Sequence, residues 1–225
     1  MNSKTTALAF CAVIGATASL QAQTVTVDPT TLTLGYMNWT PAAGDAVGYG
    51  GSGSSSWGPS ALQANFSGST LTIAPNINTY AAGNDYWVNA DGSGANIMDA
   101  SVYNETSGTY VNTTLTFTFD VLANTLAAGY TSQAFIKDFS SSYSSFTSST
   151  TALTPGVDTV SLAVSANAGD HIQYGFETFG PDANPSTVAT LGSVLVNPVP
   201  VPEPSTLAFA GTGLTAALTM IRRRK

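Results

Sequence analysis

Apolar and polar residues alternate one by one along much of this sequence, and this pattern restricts the possible folds more than any other feature. In the clearest run, Leu115, Phe117 and Phe119 alternate with threonines. Because successive side chains of a β-strand point to opposite faces of the sheet, the run predicts a strand with one face in a core and the other in water. Similar runs predict further strands at 31–39, 61–66, 70–74, 97–104, 133–139, 160–164, 172–176 and 188–196.

Turn signals separate these runs, and the sequence between residues 24 and 198 has no segment with a sustained helical period. Glycine-containing turns occur at 67–69, 91–92 and 155–156, among others. Many short strands with turns between them predict an all-β fold, an antiparallel β-sandwich with the jelly roll as the favoured arrangement. The order of strands and turns in the last third of this region resembles the closing part of jelly-roll carbohydrate-binding modules. Thr-x-Thr triplets occur at irregular spacing, so a stacked threonine solenoid is not predicted.

Charged residues are scarce, and the basic ones are concentrated at the two ends of the chain. They make up 8% of the 225 residues, and the formal net charge is −7. The segment 24–198 carries 12 acidic residues and a single basic one, Lys137, which gives a charge of −11. Nucleic-acid binding is excluded, because too few cations are present to neutralise phosphates. This composition favours neutral polysaccharide or bare solvent over anionic glycans as a partner.

Residues 1–23 have the three parts of a secretory signal peptide. Lys4 is followed by an apolar run at 7–18, and small residues end the segment at Ala18 or at Ala22. The apolar run is too short to span a bilayer, so the segment predicts a signal helix that directs export. The only cysteine of the chain, Cys11, lies inside it. The exported chain is therefore expected to contain no disulfide and no reactive thiol.

The other end of the chain combines prolines, an apolar stretch and a basic cluster. Pro202, Glu203 and Pro204 precede an uncharged stretch at 206–221. This stretch predicts a short transmembrane helix, and basic residues after such a helix stay on the cytoplasmic side. The body of the protein would then lie outside the cell membrane. The basic cluster consists of Arg222, Arg223, Arg224 and Lys225.

The order and spacing of these elements over 199–225 resemble the PEP-CTERM sorting signal of exported bacterial proteins. The recognition motif of that family corresponds to Pro202, Glu203 and Pro204. The resemblance implies export by the secretion machinery across the inner membrane and transient anchoring by the C-terminal helix. It also implies processing by an exosortase, a membrane protease-transpeptidase, followed by release or display at the cell surface, in bacteria that make extracellular polysaccharide.

Few residues between the two terminal segments have catalytic potential. His171 is the only histidine, and the nucleophile pattern Gly-x-Ser-x-Gly is missing from the sequence. Glu105 and Glu177 are the only glutamates of this region, and a glycosidase needs two facing carboxyl groups. Strand alternation places Glu177 opposite to Phe176, where it can point into a concave sheet surface. We expect no catalytic residues, with a glycoside-active enzyme as the alternative.

The residue types also predict no metal site, with calcium as the one ion worth considering. Zinc is disfavoured by a single histidine and the lack of cysteine outside the leader. The run 89–94 (Asn-Ala-Asp-Gly-Ser-Gly) places oxygen-bearing side chains at alternate positions, as in the start of an EF-hand-type loop. The bidentate glutamate that closes such a loop is replaced by Ala100, and an ordinary Asp-Gly turn explains the run equally well.

Aromatic residues in glycine- and asparagine-rich segments are the candidates for ligand binding. Flat rings stack on the C–H faces of sugars, and amide and carboxylate groups bond to hydroxyls. Trp57, Trp87, Tyr86 and Asp85 are therefore predicted to contact a neutral polysaccharide. The sequence thus predicts an exported, non-catalytic surface or matrix protein that binds polysaccharide. A purely structural matrix protein without a ligand is the other alternative.

Overall fold

The computed structural model describes residues 21–42 and 51–200, and its regular structure there is extended except for two short 3₁₀ turns. The all-β prediction is confirmed. No helix in these ranges is long and apolar enough to cross a bilayer, and the predicted transmembrane helix 206–221 lies outside them. The strands are β1 (Gln21–Thr26), β2 (Leu34–Pro41), β3 (Gly53–Ser56), β4 (Ala64–Ser67), β5 (Thr70–Ile73), β6 (Asn96–Ser107), β7 (Thr113–Asn124), β8 (Thr131–Phe139), β9 (Phe146–Ala152), β10 (Gly156–Ala163), β11 (His171–Pro181) and β12 (Val194–Pro198).

The strands form two six-stranded sheets that pack face to face as a β-sandwich. In the first sheet, strand β7 has neighbours on both of its edges. β10 pairs with one edge, and β1 and β12 pair with successive parts of the other edge. β5 pairs with β12, and β4 follows beyond β5. The second sheet has the order β3-β2-β6-β11-β8-β9 and is antiparallel throughout. β1 runs parallel to β7, so the first sheet is mixed and the prediction of a purely antiparallel sandwich is wrong at this edge. The five strands between β1 and β7 provide the long crossover that a parallel pair requires.

Aromatic side chains fill the centre of the sandwich. Phe117 and Phe119 of β7 are fully buried and contact Phe176 of β11, with ring centroids 5.1 and 5.5 Å apart. Tyr174 packs on Phe117 from the same strand as Phe176. The threonines that alternate with these phenylalanines are half-buried on the other face of β7. The predicted division of β7 and β11 into a core face and an outer face is confirmed.

Several strand boundaries differ from the prediction for reasons of turn chemistry. The run 61–66 is interrupted because Pro59–Leu62 forms a 3₁₀ turn that ends at Gln63 with a left-handed backbone (φ 61°). The run 188–196 begins with a second 3₁₀ turn, and β12 starts only after Gly192, where φ is 74°. β9 was not predicted, since its Ser- and Thr-rich sequence has no apolar alternation.

Residues 1–20 of the predicted signal peptide and residues 201–225 lie outside the described ranges, and the described residues next to them belong to or contact the first sheet. β1 begins at Gln21, so a leader that extended to residue 23 would include the first half of this strand. Cleavage after Ala18 leaves β1 whole, whereas cleavage after Ala22 removes its first two residues. At the other end, the backbone N–H of Val199 donates to Thr26 Oγ1 at 2.9 Å, one residue after β12 ends.

Candidate functional site

A cleft of about 720 Å³ lies on the outer face of the second sheet, the face turned away from the core. Strand alternation creates it, because the residues of β6, β8 and β11 that do not face the core project outward here. Gly175 lies in the middle of this face, opposite Tyr103 and Phe135, and a β-carbon there would clash with the backbone of Val102. The lining residues are Tyr36, Asn38, Ser56, Asp99, Ser101, Tyr103, Glu105, Lys137, Phe139, Tyr143, Phe146 and Gln173.

A buried ion pair forms one part of this face. Lys137 Nζ bonds to Glu177 Oε1, and Gln133 Nε2 donates to Glu177 Oε2 at 2.8 Å. Lys137 lies opposite Gln173 in the register, so its side chain must extend along the sheet to reach Glu177, and its ammonium lies 4.3 Å from the centre of the Phe135 ring. Burial lowers the pKa of the Lys137 ammonium, and the Asp99 carboxylate opposes this effect. The predicted outward direction of Glu177 is confirmed, but the residue is only 2% exposed.

Asp99 is the carboxyl group next to this ion pair. Burial raises its pKa, and the charge of Lys137 offsets part of the rise. Asn38 Nδ2 approaches Asp99 Oδ2 at 3.4 Å, and Oδ1 has no hydrogen-bond partner among the residues that the structure describes. The register pairs Glu177 with Ser101, two residues from Asp99, so these two carboxyl groups are diagonal neighbours on adjacent strands.

Glu105 lies towards the other end of the cleft and is bonded by neutral groups. The Tyr143 hydroxyl donates to Glu105 Oε1 at 2.8 Å, and Gln173 Nε2 donates to Oε2 at 2.6 Å. Burial and the donation to Glu105 raise the pKa of the Tyr143 hydroxyl to about 12, so this donor stays protonated. His171 Nδ1 is 3.7 Å from Glu105 Oε1, and the imidazole is stacked on the Tyr143 ring with 4.2 Å between the ring centroids.

Aromatic rings border the Glu105 end of the cleft. Phe139 contacts Phe146 and Tyr143, with ring centroids 4.9 and 5.6 Å apart. Tyr143 is 49% exposed and Phe146 is 55% exposed, although large rings usually bury most of their surface. The turn between β8 and β9 holds Tyr143 in a left-handed backbone conformation, with φ at 55°. The cleft therefore presents accessible ring faces beside hydrogen-bonding groups.

The predicted glycan-binding residues lie elsewhere in the sandwich. Trp57 and Trp87 are half-buried, and together with Trp39 they pack against a small second core on the inner side of the second sheet. Tyr86 packs edge-on against Trp87 at 4.6 Å, and Asp85 is exposed in the same loop. The structure thus gathers the predicted aromatic residues around one cluster, outside the cleft, and their role in glycan binding stays a prediction. The second core consists of Met37, Leu62, Met98 and Ala100.

The register separates the two glutamates on which the alternative of a glycosidase rested. Glu105 lies opposite Gln173 on the neighbouring strand, four residues from Glu177. Four residues of extended chain span about 13 Å, whereas the catalytic carboxyl groups of glycosidases lie about 5–10 Å apart. Each glutamate also has its own set of hydrogen-bond donors. This geometry argues against Glu105 and Glu177 as a catalytic pair.

The loop considered for calcium is closed by its own hydrogen bonds. Asp91 Oδ1 accepts from both the backbone N–H and the hydroxyl of Ser93, at 2.9 and 2.6 Å. These bonds lower the pKa of the exposed Asp91 carboxyl. Asn89 Nδ2 donates to Ser93 Oγ at 3.1 Å, which ties the ends of the turn together. The Asp-Gly turn therefore accounts for this sequence, and calcium binding stays a prediction.

The comparisons with known proteins identify the C-terminal segment. Residues 200–225 match the family model of the PEP-CTERM protein-sorting motif, in agreement with the sequence prediction. Pro202, Glu203 and Pro204 and the basic cluster fall within this match and outside the described residues. The motif implies export, processing by the membrane enzyme exosortase, transient anchoring by the tail and final surface location. No curated protein and no solved structure is detectably similar to the chain.

Proposed function

We propose that this exported surface protein, which carries a PEP-CTERM protein-sorting motif, binds polysaccharide with the cleft on its second sheet and does not cleave it. The cleft itself carries the proposal. It is large enough for a few sugar units, and it combines exposed rings with amide, hydroxyl and carboxylate groups on a rigid sheet.

The chemistry of the lining fits a sugar chain. The rings of Phe146 and Tyr143 offer apolar faces on which the C–H groups of a pyranose can stack. Asn38 and Gln173 offer amide groups, and Asp99 and Glu105 accept hydrogen bonds from sugar hydroxyls. All of these side chains except that of Tyr143 project from paired strands, so the sheet fixes their spacing before a ligand arrives.

The position of the cleft is compatible with a protein held at a surface by its tail. β12 and the residues that lead to the sorting motif belong to the first sheet. The cleft lies on the outer face of the second sheet, on the opposite side of the core. The last described residues before the tail thus lie on the side of the core away from the cleft.

The state of the carboxyl groups supports binding rather than hydrolysis. Glu177 is buried, is paired with Lys137 and accepts a hydrogen bond from Gln133, so it is poorly placed to attack a sugar. Glu105 lies opposite Gln173, four residues along the sheet from Glu177, and is held by its own donors Tyr143 and Gln173. A purely structural role without a ligand remains the competing explanation, and the same experiment distinguishes all three functions.

The experiment is affinity electrophoresis of the purified chain through gels that contain individual polysaccharides, combined with an assay for released reducing ends. Phe146→Ala and Tyr143→Ala remove exposed rings of the cleft and are expected to abolish retardation. Leu122→Ala is the matched control, because Leu122 is 49% exposed on β7 of the first sheet. Retardation that survives both cleft substitutions contradicts the assignment of the site. If no polysaccharide retards the protein, the structural role without a ligand is supported. If the protein releases new reducing ends, the alternative of a glycoside-active enzyme is supported.

A further inference from the structure

The cleft has more acidic groups than its single lysine can balance. Lys137 is bonded to Glu177, which leaves Asp99 and Glu105 as additional carboxylates in the lining. Both donors to Glu105, Tyr143 and Gln173, are uncharged. No lysine or arginine other than Lys137 occurs between residues 24 and 198 to compensate for them.

Glu105 is also the carboxylate next to the exposed rings. Tyr143 bonds to it and stacks on His171, and Phe139 and Phe146 continue the ring surface. The electron-rich face of an aromatic ring attracts a cation, and a carboxylate at its edge adds direct charge attraction. An ammonium group fits this combination better than a hydroxyl does, and a uronate carboxylate is repelled by it.

Given the proposed function, on which this step rests, we infer that the preferred ligand of the cleft is a polysaccharide with free amino groups, such as a glucosamine polymer. One protonated amine of the sugar chain is placed beside Glu105 and against the ring of Tyr143. The neighbouring sugar units extend along the sheet towards Asp99 and Asn38. The sequence alone favours a neutral glycan over an anionic one, and the carboxylates and rings of the cleft favour a cationic glycan over both.

The test compares the affinity of the full chain for glucosamine oligomers and for N-acetylglucosamine oligomers of equal length by calorimetry. Both titrations are carried out in the same neutral buffer. A partly exposed ion pair together with a cation–π contact predicts about tenfold tighter binding of the amine form, and less at high salt. Glu105→Gln is expected to remove the preference, so that the amine and acetylated oligomers bind this variant with equal affinity. Asp120→Asn is the control, because it removes the same charge from β7 in the first sheet. This variant is expected to retain the preference for the amine form.

Each outcome bears on one of the two proposals. Equal affinity of the wild type for both oligomers, or a preference that survives Glu105→Gln, overturns the inference and leaves the proposed function standing. Failure of every oligomer to bind also overturns the inference, whereas the proposed function is overturned only if no polysaccharide retards the protein in the gels. If Glu105→Gln does not fold, Glu105→Ser replaces it, since loss of the carboxylate must also remove the preference. An unchanged preference in that variant refutes the inference.

Discussion

Asp182 gives the stability of this protein a pH dependence that can be worked out from the structure. The residue follows β11 and is 1% exposed. Its Oδ2 accepts a hydrogen bond from Thr79 Oγ1 at 2.7 Å, whereas Oδ1 has no partner among the described residues. Burial raises the pKa of this carboxyl from an ordinary value of 3.8 to about 6, and the bond from Thr79 limits the rise.

The direction of the effect follows from which state binds the proton more tightly. Because the pKa is higher in the folded state, the Asp182 proton stabilises the fold below about pH 4, and this stabilisation is lost as the pH rises through about 6. At about 1.4 kcal/mol per unit of pKa, the loss amounts to about 3 kcal/mol. Asp182→Asn is neutral at every pH and should remove this part of the pH dependence.

The measurement is urea unfolding of the wild type, Asp182→Asn and Asp91→Asn at a series of pH values. At each pH, the free energy of unfolding of a variant is subtracted from that of the wild type. The difference isolates the contribution of the substituted residue from those of the other carboxyl groups. Asp91 is exposed and the hydrogen bonds from Ser93 lower its pKa. The free energies of unfolding of Asp91→Asn and of the wild type should therefore change with pH in parallel above about pH 5. Parallel pH profiles for the wild type and Asp182→Asn between about pH 4 and about pH 7 would refute the reasoning.

Three further substitutions test other parts of the structure. Lys137→Met leaves the buried Glu177 carboxylate without its cation and should lower the free energy of unfolding by about 3–5 kcal/mol. The double variant Lys137→Met, Glu177→Leu should recover most of the lost stability in the same urea titration. Phe117→Ala empties the centre of the core and should cost about 3–5 kcal/mol, and a cost below 1 kcal/mol would contradict the packing described. Gly175→Ala forces a β-carbon against the carbonyl oxygen of Val102 and should lower the melting temperature in calorimetry. Gly58→Ala should change it less, because Gly58 has open space around it and a φ of −69°.

The strands with one buried face could be predicted from the sequence because burial imposes a two-residue period. β7 and β11 show this directly, with Phe117 and Phe176 inward and Glu177 outward. β9 escaped prediction because it lies at the edge of the second sheet, where Ser and Thr are tolerated on both faces. β1 escaped because its first residues continue the composition of the leader.

The cleft could not be predicted because its residues meet only through strand register. Lys137 and Glu177 are 40 residues apart in sequence, and they meet because β8 and β11 are neighbours. The aromatic residues chosen from the sequence, Trp57 and Trp87, pack on the small second core instead, since large rings tend to be buried. The sequence signal that pointed to the face of the cleft was the alternation that places Glu177 opposite to Phe176.

Hydrogen–deuterium exchange of the full chain with and without bound polysaccharide tests the location of the binding site most directly. The account predicts that the ligand protects backbone amides of β6, of β11, of the turn that carries Tyr143 and of the start of β9 at Phe146. Protection confined to the loop of Tyr86 and Trp87, or no protection at all with a polysaccharide that retards the protein, would contradict it.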